Sequence, residues 1–156
     1  MNRCVFLIYF AFSASIQANE SREKFIGVWT CKQSYNVEGG LYFESEYTAT
    51  FIDKSSNVSQ VGFISLIDKN APDKLSSLSY RAEITFQVNG DTASYQPLNI
   101  EAKITQNSLN IITPEFVEEF KSNRQVTHST YEFLSDYELR SVYDNGETLS
   151  CKKDEL

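Results

Sequence analysis

His128 is the one histidine of the chain, so any triad or metal cluster that needs two imidazoles is excluded. Its strand neighbours Val126 and Thr130 put it on a mixed face, where a solvated or rim position is the plain reading. Glu44 and Glu46 stand two apart, which on a strand places both carboxylates on one face, as acid–base work would require. That face is the wet side of a half-buried strand, where solvated glutamates are the commoner outcome. Asp68, Asn70 and Asp73 bring oxygen ligands to one loop, without the spacing of a known calcium loop. No Gly-x-Ser-x-Gly turn, phosphate loop or dinucleotide fingerprint occurs. The expectation is a non-enzymatic chain with no metal and no cofactor.

The remaining reactive groups are three cysteines, Cys4, Cys31 and Cys151. Residues 1–18 read as a signal peptide: Arg3 supplies the positive start, Val5 to Phe12 the apolar run, and small residues lead to a cut after Ala18. Cys4 leaves with that segment. The even pair left in an exported chain, Cys31 and Cys151, reads as a disulfide. Residues 19–156 then form a single domain, with room for eight Phe, eight Tyr and Trp29 in its core. Cleavage removes Arg3 and no acid, taking the formal charge from −7 to −8. Such a balance argues against nucleic acid, whose phosphates need clustered cations. It would instead attract a basic protein partner. No second apolar run reaches the roughly 18 to 20 residues of a membrane helix.

The elements that must position these groups are strands. Residues 19–24 read as a loose arm, and Ile26 to Cys31 is β-branched and aromatic. Leu41 to Phe51 alternates with period two, and Val58 to Ile67 follows the turn at 53–57. The polar stretch Asp68 to Ser77, with Pro72, reads as a longer loop. Tyr80, Ala82, Ile84, Phe86 and Val88 then face one way against Arg81, Glu83, Thr85 and Gln87. Asn89-Gly90 marks a hairpin, Pro97 a bend, and Leu109 to Ile112 a further strand. Thr113 can cap a short helix with Pro114 at its first position and Phe116, Val117 and Phe120 on one face. Val126 to Leu134, Tyr137 to Tyr143 and Glu147 to Lys152 are the closing strands. Eight to ten strands and one short helix make an all-β architecture. A bond between Cys31 and Cys151 would join first strand to last, as in a closed antiparallel up-and-down barrel; a sandwich could carry the same bridge.

Gly27-x-Trp29 on the first strand resembles the Gly-x-Trp signature of lipocalins, antiparallel barrels that hold small hydrophobic molecules. The usual second signature, a Thr-Asp-Tyr-like triplet, is absent. The resemblance implies that Trp29 closes one barrel end against a late basic side chain, for which Arg140 matches best by position, with Lys152 behind it. The early Ile26 to Cys31 strand and the late Cys151 followed by lysine are similar to small exported bacterial proteins of this type. That favours the periplasm or secretion. The alternative is the endoplasmic reticulum, because Lys153-Asp154-Glu155-Leu156 spells its retention address. Asn19-Glu20-Ser21 and Asn57-Val58-Ser59 would be glycosylation acceptors in that setting.

An eight-stranded barrel can be packed solid or hold one small ligand. Tyr47, Phe51, Phe63, Tyr80, Ile84 and Phe86 are the candidates to line such a space. If they leave a void, the guest is small and hydrophobic or amphipathic, such as a fatty acid. If they interdigitate, the chain is a protein-binding module, an inhibitor or envelope-associated accessory factor.

Overall fold

Alternating side-chain character along nearly every segment dictates strands, and their pairing dictates the rest. The computed structural model describes residues 22–52 and 56–155. The leader expected at 1–18, Cys4, the Asn19 acceptor and Leu156 lie outside the described residues. Residues 22–25 are helical, where a loose arm is expected from sequence, and lead into β1 (Gly27–Val37) and β2 (Leu41–Phe51). Then come β3 (Asn57–Asp68), β4 (Ala71–Asn89) and β5 (Thr92–Asn107). Helix α1 (Pro114–Ser122) precedes β6 (Thr127–Phe133), β7 (Glu138–Tyr143) and β8 (Thr148–Lys153). Each strand pairs antiparallel with the next, and β8 returns to β1 through Trp29↔Lys153, Thr30↔Lys152, Cys31↔Cys151 and Lys32↔Ser150. The result is a closed up-and-down barrel, in which every strand has a partner on both sides over at least part of its length.

Two further segments differ from the sequence expectation. The stretch 68–77 is not a long loop: β3 runs to Asp68 and β4 starts at Ala71. Asp68 Oδ1 accepts the Asn70 amide at 2.8 Å and closes the turn. The register jumps from Ile67↔Leu75 to Asp68↔Ala71, so residues 72–74 form a bulge, where the missing N–H of Pro72 costs no ladder bond. The stretch 109–112 is not a strand. The Asn107 side chain donates to the Ile112 carbonyl at 2.8 Å and accepts its amide at 3.2 Å. One amide group thus serves Ile112 in place of a neighbouring strand.

Strand lengths shape the interior. β4 and β5 run 19 and 16 residues, whereas β6, β7 and β8 have 7, 6 and 6. The long strands overhang the short ones, and α1 covers the overhang with Val117 and Phe120 packed near Leu78, Tyr80 and Ala102. Thr113 Oγ1 caps α1 by accepting the Phe116 amide at 3.2 Å, and Pro114 opens the helix where its missing donor is harmless. Phe116 itself points to solvent.

One end of the barrel is solid. Phe25, on the helical turn before β1, is 1% exposed. Its ring lies 5.5 Å from Phe51, 4.8 Å from Phe86, 5.1 Å from Tyr131 and 5.0 Å from Phe133. Trp29 beside it is equally buried, and its indole N–H donates to the Phe25 carbonyl at 2.7 Å. The basic side chain over Trp29 is Lys153, with Nζ 5.4 Å from the ring centroid. Arg140 does not take that place: it is exposed, opposite Glu132 and Ser150. Lys152 faces outward too, 3.4 Å from Glu138. Strand parity is the reason, since Leu139, Cys151 and Lys153 point in and the residues between them point out. The Lys153 stem crosses Gly27, where a Cβ would lie 2.6 Å from Cε and where φ is +129°. The positive φ is what favours glycine there, since the end of the Lys153 side chain could shift aside.

Candidate ligand-binding cavity

Beyond the aromatic plug the inner face changes character. Inward positions carry Gln33 on β1, Ser45 and Tyr47 on β2, Gln60 and Ile64 on β3, Tyr80, Ala82 and Ile84 on β4, Tyr95 and Ile100 on β5, and Tyr143 on β7. These side chains do not meet at the axis. They line an open cavity of about 520 Å³, within the range of roughly 300–1,000 Å³ usual for small-molecule sites. Phe43, Phe120 and Pro97 add apolar wall, and Asn123, Val126, Thr127 and His128 complete it on the side where β6 begins. There β6 pairs with β5 only from Tyr95↔Thr127 to Thr92↔Thr130. The rest of β5 has α1 beside it instead. Phe120 seals this flank with its ring 5.7 Å from Tyr80, edge to face.

The wall owes part of its shape to Gly62. It stands opposite Tyr47 in the β2–β3 ladder, and any Cβ there would come within 2.7 Å of the Tyr47 Cα. Only a bare backbone lets Tyr47 hold its position.

Four phenols give the cavity its polarity. Tyr47 and Tyr143 share a hydrogen bond, and Tyr80 bonds to Ser45. Tyr95 lies close to the hydroxyls of Ser129 and Ser141, near enough for both to favour its anion. Neither serine hydroxyl reaches full hydrogen-bond geometry, although both are buried. Burial pushes all four phenols above the ordinary tyrosine range. Repulsion from neighbouring phenolates adds to this for Tyr47, Tyr80 and Tyr95, and repulsion from Glu147 for Tyr143, because partly buried charges are screened less than exposed ones.

That has a consequence for stability at high pH. A phenol whose folded pKa is raised gives up its proton more readily when unfolded, so its contribution is intact below about pH 10 and lost above it. Each such phenol steepens the decline by about 1.4 kcal/mol per pH unit. The urea midpoint should therefore hold steady to about pH 10 and then fall, with tyrosinate absorbance rising in step with unfolding. Ionisation of these four phenols at an ordinary pH in the intact barrel would contradict the burial argument.

The rim is acidic. Gln33 Nε2 donates to Glu147 Oε2 at 2.7 Å, and the Tyr35 hydroxyl also bonds to Glu147. Tyr35 is stacked on Phe43 at 4.5 Å, and its own pKa is raised by burial first and by the Glu147 charge second. Asp144 and Asn145 belong to the turn between β7 and β8 and face the same space. No lysine or arginine lines the cavity among the described residues.

Of the sequence-predicted lining residues, Tyr47, Tyr80 and Ile84 do line the cavity. Phe51 and Phe86 belong to the solid end instead. Phe63 is 42% exposed and faces outward, because it pairs with Glu46 and Ser79 on the outer face. Tyr95, Tyr143, Gln33, Glu147 and Phe120 join the cavity without having been singled out. Alternation through Ala93 and Tyr95 could have placed Tyr95, but no local pattern marks Glu147 as a rim residue. Glu46 pairs with Lys32 at 2.8 Å on the outside, and His128 sits exposed at the rim. Cys31 and Cys151 are bonded, with Cα atoms 4.0 Å apart and each 3% exposed.

Compared with protein-family models and with curated proteins, the chain matches none of them. Among the described residues no group of three His, Cys, Asp or Glu side chains could hold a metal ion, and no helix is long and apolar enough to cross a membrane.

Proposed function

We propose that this chain is an exported, lipocalin-like binding protein that holds one small amphipathic molecule in the open half of its barrel and does no chemistry on it. The observation that carries this reading is the cavity itself: about 520 Å³, walled by apolar side chains and a few phenols. Transfer of an apolar guest into it is favoured by roughly 25 cal/mol per Å² buried, before ordering costs. The phenols and amides then fix orientation, since each can pair with a polar group of the guest.

The same reading places the protein in an oxidising compartment, periplasmic or secreted. The buried Cys31–Cys151 bond suits such a setting. Lys153 and Asp154 weigh against the retention-address reading. Lys153 is a strand residue lying over Trp29, the Asp154 amide donates to the Val28 carbonyl at 2.9 Å, and the Asp154 carboxylate accepts from Thr30 at 3.3 Å. A receptor would have to strip both from the barrel to read them.

Titration of the purified protein with an environment-sensitive lipid-like fluorophore should saturate at one probe per chain. Tyr47→Trp, which adds bulk to the cavity wall, should weaken that binding at least tenfold while the far-ultraviolet circular dichroism still reports a folded barrel. No saturable binding to the wild-type barrel would overturn the proposal.

A further inference from the structure

We infer that the guest carries a cationic head group, an amine on an apolar body, and that Glu147 is the group that selects it. This rests on the binding reading above and adds the charge of the ligand. The argument starts from what surrounds Glu147. Its carboxylate takes a hydrogen bond from Gln33 at 2.7 Å and one from Tyr35. Both donors are neutral. They fix the carboxylate in place at the rim and leave its charge uncompensated, since no lysine or arginine among the described residues bridges it. Asp144 lies at the same rim, also without an ion pair among the described residues. A fixed anion at the mouth of an apolar-walled cavity, with no lysine or arginine among the described lining residues, repels a carboxylate guest and attracts an ammonium.

The interior agrees with the rim. Buried phenols and amide groups of Gln33 and Gln60 offer hydrogen bonds, yet none supplies the positive charge that a fatty-acid head group would need inside an apolar wall. The fatty acid expected from the sequence is thus the least suited of the amphipathic candidates. The formal charge of −7 acts in the same direction at long range.

The test compares dodecylammonium, dodecanol and dodecanoate, below their micelle-forming concentrations, by displacement of the lipid-like fluorophore at neutral pH. Dodecylammonium should bind at least tenfold more tightly than dodecanoate, with dodecanol between them. Glu147→Gln should bring the amine within about threefold of the alcohol, and added salt should narrow the gap in the wild type. Equal or tighter binding of dodecanoate would overturn the charge assignment and leave the carrier reading standing. Failure of all three chains, together with failure of the fluorophore, would overturn both.

Discussion

Replacing Phe25 with alanine will cost the barrel about 4 kcal/mol, as expected for truncating a fully buried aromatic side chain. The ring fills the solid end from a helical turn outside the sheet, touching four other aromatic rings. Those rings come from β2, β4 and β6. None of those strands can move inward to fill the void, because the ladder fixes their separation at about 4.8 Å. Edge-to-face pairs add roughly 0.5–1.5 kcal/mol each beyond area burial, and Phe25 makes three of them. The Trp29 indole would keep its carbonyl acceptor, since that bond goes to backbone, so the loss isolates packing from hydrogen bonding. Thermal melting should fall by about 10 °C or more. Phe116→Ala, at an exposed position on α1, should stay within about 0.5 kcal/mol of wild type. Equal costs at the two positions would mean that the solid end is not held by the Phe25 ring.

The second large effect concerns the Cys31–Cys151 bond. It closes a loop of 120 residues, for which chain-entropy arguments give about 4 to 5 kcal/mol and measured losses in small exported domains about 2 to 5. The bond joins paired residues of β1 and β8 at the barrel's seam. That seam has four register pairs, against eleven between β1 and β2. Cys31→Ser with Cys151→Ser should therefore lower stability by at least about 2 kcal/mol in denaturant titration. Both sulfurs lie within the hydrophobic core, so a mild reductant should break the bond only as fast as the seam opens. Rapid reduction in the native state, or unchanged stability of the double variant, would place the closure elsewhere.

The fold was legible because a barrel strand states its two faces in every pair of residues. Tyr80 to Val88, the Asn89-Gly90 turn and the Thr113-Pro114 cap each carried their own physical signal, and each element stands where that signal put it. What failed was parity between strands. Phe63 is as aromatic as Phe51, but it falls on the opposite face, and only the register with Glu46 and Ser79 settles that. Arg140 and Lys152 fall on the outer face for the same reason, Lys152 being one residue off from Lys153 and Arg140 standing opposite Ser150. The plug was invisible for another reason. Phe25 follows a charged segment that carries no periodicity, and its place inside the barrel depends on β1, β2, β4 and β6 meeting around it. Composition does not decide between a solid and a hollow interior, and the barrel divides the answer between its two ends.

The seam between β1 and β8 also sets a schedule. During synthesis Cys31 emerges 120 residues before its partner, a wait of roughly 10 s at ordinary elongation rates. Throughout that interval β1 has β2 to lean on but a bare second flank, and its thiol is open to any stray oxidant or foreign cysteine. The ring can lock only after the final ribbon has left the ribosome. Closing the barrel covalently is therefore a late step of maturation, made once, when the chain meets its oxidant.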